Sequence, residues 1–283
     1  MVGTMTTTSF FLHAWEVHPS VVVGCVAMLV WYFWGQFPSA KYWVPFCAGV
    51  VILCLALISP IDPLGDLYLF SAHMVQHLLL ILIIPPLLIA GLAEKRVSRW
   101  MEVPSVRSAE AVLGRPVVAW TSNMFVMSIW HLPVLYNAAN ANTGIHICEH
   151  LSFLITSCMF WWPIVSPIES QRLPPAKAMV YLFGAAVVST VLGIVITFLP
   201  VGYYEPYMHP VDSLGALHLI RVTWGISAAT DEKLAGLIMW VPGCTVYFIA
   251  LLLKLARWYN TPDPDKQAMM ASLHQDRSEA QHG

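Results

Sequence analysis

The chain has 283 residues, 58% of them hydrophobic and only 11% charged, whereas an average soluble domain is roughly 25% charged. Mean hydropathy is +0.66 and the formal net charge is −2. These values exclude an ordinary soluble domain and leave no basic surface for nucleic acid; they describe an all-α, polytopic membrane protein.

In chain order, residues 1–18 read as an outer N-terminal segment, 19–258 as a transmembrane domain and 259–283 as a polar tail that Pro262 and Pro264 cut off from the last helix. Seven segments are long and apolar enough to cross about 30 Å of hydrocarbon as helices. They are Pro19–Gln36, Tyr42–Ser59, Tyr68–Leu92, Pro116–His131, His146–Ser166, Lys177–Leu199 and Leu234–Trp258. The first has no basic stretch before it and no small-residue cleavage site after it, so it reads as a retained helix and not as a signal peptide. Basic residues alternate from loop to loop. Lys41, Lys95, Arg96, Arg99, Arg107, Arg115, Arg172, Lys177, Lys254, Arg257, Lys266 and Arg277 fall on one side, and only Arg221 and Lys233 on the other. The positive-inside rule then puts the N-terminus outside and the C-terminus in the cytoplasm. Glu94–Gly114 is expected to be a cytoplasmic connection with a short surface helix carrying Trp100 and Met101. Within the long outer stretch Val201–Thr230, Ser213–Ser227 is apolar enough for an interfacial helix or a re-entrant lid. Pro85-Pro86 and Pro242 should break or kink the third and seventh helices, and the tail, with His274 and His282, should be disordered.

With that topology, His13, His18, His73, His77, His131, His146, His150, His209 and His218 lie outside or in the outer halves of helices, and the cytoplasmic half has no histidine. His73/His77 and His146/His150 are i,i+4 pairs, and each pair shares one helix face. His131 closes the fourth helix just before Pro133. Five imidazoles from three helices can therefore converge at similar depth. Imidazole suits Cu, Zn, Fe and Ni, and ionisable groups within a membrane are costly enough to imply function. The bland alternative is that each is an interfacial hydrogen-bonding residue. Glu149 is placed to orient an imidazole from behind; Asp231 could do the same or cap a helix. Met74, Met208 and Met239 offer soft thioethers, or serve as apolar filler. The six cysteines lie mainly in apolar segments without a CxxC pair, and Cys148 points away from both neighbouring histidines, so neither a disulfide framework nor a thiolate site is expected.

Several motifs in this order resemble the CtaG family of cytochrome c oxidase assembly factors. They are His73-Met74-Val75-Gln76-His77-Leu78-Leu79 followed by Pro85-Pro86-Leu87-Leu88, Trp130-His131-Leu132-Pro133 with Tyr136, and His146 and Glu149-His150 leading to Phe160-Trp161-Trp162-Pro163. Tyr203-Tyr204, then Asp231 with Leu234-Ala235-Gly236-Leu237 and Met239-Trp240, extend the likeness over roughly Tyr68 to Gly243. The resemblance implies a seven-helix protein of the bacterial inner membrane that matures the copper centres of a haem–copper oxidase. It also implies that His73, His77, His131, His146 and His150 handle the copper, with Glu149, Asp231 and Met239 in support. The implied partners are oxidase subunits, an extracytoplasmic copper chaperone as supplier, and the bilayer. Two features depart from the family pattern: Glu232 stands where Gln is usual, and Met208–Trp224 is longer, adding His209, His218 and Arg221 on the outer side.

The resulting reading is a non-enzymatic metallochaperone that binds copper at the outer face and passes it to the nascent oxidase. Three alternatives stand beside it. A haem-binding redox protein would use His77 and His150 as axial ligands from opposing helices. A copper permease would need polar groups through the inner half, where only Cys47, Cys54 and scattered Met occur. A structural scaffold would need no metal.

Overall fold

The computed structural model describes residues 5–35 and 37–260, and among these all regular structure is helical. Of the expected tail, 259–283, Tyr259 and Asn260 belong to the last helix, and 261–283, with His274 and His282, lie outside the described residues. In chain order the helices are α1 (Thr7–His13), α2 (Pro19–Phe33), α3 (Ala40–Ile58), α4 (Ile61–Leu67), α5 (Phe70–Ala90), α6 (Glu94–Met101) and α7 (Pro104–Leu113). They continue with α8 (Pro116–Trp130), α9 (Pro133–Ala141), α10 (Thr143–Val165), α11 (Pro175–Phe198) and α12 (Ala228–Asn260).

Local sequence sets these boundaries. Pro19, Pro104, Pro116, Pro133 and Pro175 open their helices, where a missing N–H would be unpaired in any case. Asn142 caps α10 by accepting from the amides of Gly144 (2.9 Å) and Ile145 (3.1 Å). The expected surface helix between the third and fourth segments is two helices, α6 and α7, separated just before Pro104.

Each of the seven apolar segments is helical, but four of the helices, α3, α5, α11 and α12, are long and apolar enough by themselves to cross a membrane. The helices α2 and α8 have 15 residues each, short of the usual span. In α10 the length suffices at 23 residues, but His146, Glu149 and His150 make its first turns polar.

Most deeply buried of the four long helices is α5. It packs on α12 through its first half and on α3 and α10 through its second, while α10 also packs on α8. A π-helical stretch, Leu79–Ile83, lies just before Pro85-Pro86. Proline cannot donate to the carbonyl four residues back, and for Pro85 that carbonyl belongs to Ile81. The Trp161 indole of α10 donates to it instead, at 2.9 Å. The proline pair thus ties α5 to α10 without ending the helix, and α12 runs on through Pro242.

A close reciprocal contact joins α11 and α12. A Cβ on Gly193 would meet Trp240 at 2.6 Å, and one on Gly236 would meet the backbone and hydroxyl of Thr197. Residues 193/197 and 236/240 are i,i+4 pairs, so each helix offers a small residue to the other's larger one. Replacing Gly236 with Val should force the helices apart and cost about 1–3 kcal/mol, read as a lowered midpoint of thermal unfolding in detergent. An unchanged midpoint would contradict this packing.

Candidate metal centre

Three helices deliver the buried polar groups. From α5 come His73, Gln76 and His77, from α10 Glu149 and His150, and from the end of α8 His131; all except His150 are at most 3% exposed. Within this set His73, His77, Glu149 and His150 each present one ligand atom, and the four atoms lie within 4.8 Å of one another. Glu149 is therefore beside the imidazoles and not behind them. His146, one turn earlier on α10, joins His73 and Asp66 of α4 in an adjoining group of the same compactness.

Proton positions follow from the hydrogen bonds. His131 Nδ1 donates to the Met127 carbonyl at 2.6 Å, because a carbonyl can only accept. In a neutral ring Nε2 of His131 is then the acceptor, and it faces Nδ1 of His77 at 3.5 Å. His77 consequently carries its lone pair on Nε2. That atom points at Glu149 Oε1, 3.5 Å away, and neither atom has a hydrogen-bond partner. The two atoms face each other in a buried site without a hydrogen bond between them.

This deficit extends around the site. Asp66 Oδ1, both nitrogens of His73, His77 Nε2 and both oxygens of Glu149 are buried without hydrogen bonds. Burying such groups unpaired costs about 1–3 kcal/mol each, more when they are charged, and a cation held among them would offset that cost. His146 Nε2 and His150 Nε2 meet at 3.1 Å, and Asp66 reaches His73 Nδ1 at 3.3 Å and His146 Nδ1 at 3.6 Å.

A second carboxylate adjoins the group on α4. Asp62 lies one turn before Asp66 and accepts from Gln76 Nε2 (2.8 Å) and pairs with His18 Nε2 (2.9 Å). Burial and the neighbouring Asp66 push the Asp62 carboxyl up to about 6, against the His18 and Gln76 hydrogen bonds. Burial also presses on Asp66, but the His73 and His146 rings more than offset it and hold that carboxyl below its ordinary range.

The remaining expected residues occupy other positions. Asp231 touches no imidazole; it accepts from the amides of Phe70 (2.7 Å) and Ser71 (3.1 Å) and from the Ser71 hydroxyl. It caps α5, the helix that carries His73 and His77, while Ser227 caps Asp231's own helix. Met239 lies in the apolar core, and its carbonyl accepts from Ser189. His209 and His218 are exposed. Asp66, Asp62 and Gln76 were not expected at the site. The i,i+4 spacing of Asp62 and Asp66 in a loop otherwise free of charge was the available signal.

An aromatic cover lies over the cluster. The Tyr136 ring is 5.3 Å from that of His73, and its hydroxyl bonds to that of Tyr207. The Tyr207 hydroxyl lies 2.8 Å from the Gly65 carbonyl, and the Tyr204 hydroxyl donates to the carbonyl of His131 at 2.9 Å. The expected helix within Ser213–Ser227 is a short turn at Leu219–Thr223, packed with Phe10 and Leu64 in a small separate core.

Residues 18–261 match the family described as cytochrome c oxidase caa3 assembly factors, and the chain belongs to that family. No curated protein and no solved structure matches it.

The hydrogen bonds give His131 a position distinct from that of the four clustered residues. In His131→Phe the acceptor that fixes the His77 proton on Nδ1 is gone. Metal affinity should fall about 10–100-fold with stoichiometry unchanged at saturation, as read by chelator competition. Loss of a whole equivalent of metal would instead make His131 a direct ligand.

Proposed function

We propose that this assembly factor binds copper in the pocket of His73, His77, Glu149 and His150 and delivers it to a nascent subunit of the oxidase. The observation that carries the reading is the convergence of buried imidazole nitrogens and carboxylate oxygens that have no hydrogen-bond partner. Three imidazoles and a carboxylate suit a first-row transition ion, and the carboxylate offsets part of the cation's charge in a site without water access. Copper is the cargo here, and the family's oxidase supplies the reason for that choice of metal.

In this reading the protein makes and breaks no covalent bonds in a substrate. His131 orients His77, the Asp231 cap fixes the start of α5, and release requires only that the ligands exchange with those of an acceptor. The topology that fits is seven spans in a bacterial inner membrane, with the N-terminus outside, the C-terminus in the cytoplasm and the pocket in the outer half. Domain limits of 1–18, 19–258 and 259–283 belong to the same proposal. Oxidase subunits would be the acceptors, and an extracytoplasmic copper chaperone the donor.

Haem is less well supported. The His77 and His150 rings are 5.6 Å apart and nearly perpendicular, at 88°, and His73 and Glu149 share the space between them. That is room for an ion and not for a macrocycle.

Metal content and visible absorption of detergent-purified protein test the proposal. Wild type should hold copper through desalting, and His77→Ala and His150→Ala should lose it while keeping the helical circular dichroism of the wild type. Full copper occupancy in both variants would refute the assignment, and a Soret band would favour haem.

A further inference from the structure

The buried pocket has a neighbour of a different character. Asp66, His73 and His146 also bring one ligand atom each to within 4.8 Å of one another. The facing atoms are Asp66 Oδ1 with His73 Nδ1 at 3.3 Å, and Asp66 Oδ2 with His146 Nδ1 at 3.6 Å. Asp66 Oδ1 and His73 Nδ1 are buried and make no hydrogen bond among the described residues. The group's side chains are nevertheless partly open, at 30% for Asp66 and 17% for His146, whereas those of His77 and Glu149 are at 0%.

We propose that Asp66, His73 and His146 form a second, open cation site that loads the buried pocket, with His73 common to both. The inference rests on the copper-binding reading above and adds the route by which the ion arrives. Two histidines and one carboxylate make a facial set that leaves coordination positions free for other ligands. Free positions are what an entering ion needs, because its donor must be displaced one bond at a time. The buried pocket, with four protein ligands, is by contrast closed.

His73 sets the order of events. Its Nδ1 faces Asp66, and its other nitrogen, Nε2, is the one left to serve the buried group. A neutral imidazole has one lone pair, so the two sites use His73 in turn. An ion held at the open site binds Nδ1 while Nε2 carries the proton. When the ion moves inward, the proton passes to Nδ1, where Asp66 Oδ1 accepts it as a hydrogen bond. No oxidant or reductant is needed, and one proton changes nitrogen for each ion that moves.

The rate of loading tests this in the full-length protein in detergent, with copper(II) supplied as its glycine chelate and followed by visible absorption. Asp66→Asn and His146→Asn should slow loading by roughly tenfold or more, the scale on which changes around a metal site alter its behaviour. Both should reach the copper content and final spectrum of wild type, and His209→Ala, an exposed outer histidine, should load at the wild-type rate. Loading of both variants at the wild-type rate would overturn the proposal. So would failure of folded variants to hold copper at equilibrium, because Asp66 would then belong to a single site; copper binding by the wild type would in that case survive. A wild type that takes up no copper would overturn the copper-binding reading, and this inference with it.

Discussion

The carboxylate of Asp231 at the first turn of α5 is the interaction on which the site depends. Helix α5 begins buried, so its first amides cannot turn to water and need another acceptor. Asp231 supplies one from α12, binding the amides of Phe70 and Ser71 and the Ser71 hydroxyl. A negative charge there also faces the positive end of the helix dipole. His73 and His77 follow one and two turns later, so the cap fixes the depth and rotation at which both imidazoles enter the bundle. Without it, the N-terminal end of α5 would have to unwind or move to hydrate its amides.

Once α5 is fixed, the lone pairs follow from its neighbours. The Met127 carbonyl decides which nitrogen of His131 carries the proton, His131 decides the same for His77, and the free nitrogen of His77 is turned toward Glu149. The chain of constraint runs from backbone to positioning ring to candidate ligand. The unpaired atoms that remain are energetically unfavourable, and the surrounding apolar bundle has to hold them in place. Aromatic packing contributes to this: Phe70 lies against Tyr136, Tyr204 and Tyr207, directly over the imidazoles.

Much of this arrangement was legible in the sequence, and what was not legible has a common cause. Hydrophobic runs marked segments that are helical, four of them long and apolar enough to cross a membrane, and i,i+4 spacing placed His73 with His77 and His146 with His150. These are local signals. Contacts between distant segments leave no such trace. Asp231 sits near a helix start and reads as a local cap, yet its partners are 160 and 161 residues away. Glu149 looked like an outer partner because spacing gives a face but not a rotation, and the rotation of α10 turns it into the cluster. Depth alone could not show that His131 faces His77 at 3.5 Å with its other nitrogen on the Met127 carbonyl. Asp66 was hidden by its place in a short connection, which folds into α4 and returns toward the bundle. The Pro85-Pro86 pair gave a true signal with an unforeseen outcome, since the π-helical stretch and the Trp161 indole absorb the freed carbonyl within a continuous helix.

Glu232 falls where it can alter access to the cluster. Both carboxylate oxygens of Glu232 accept from the Gly202 amide at 3.2 Å, and one also accepts from the Tyr204 amide at 3.4 Å. Gly202 has φ near +107°, a conformation that suits glycine, so the chain turns sharply at the point where the carboxylate holds it. Two residues on, Tyr204 donates its hydroxyl to the carbonyl of His131. A glutamine could accept through one oxygen only and without the added strength of a charged acceptor. The carboxylate therefore draws the loop at Gly202–Tyr204 onto α12 and sets Tyr204 against the His131 carbonyl. The Asp231 cap lies one residue before Glu232, so a single turn of α12 anchors both the floor of the site, through α5, and its cover, through the loop.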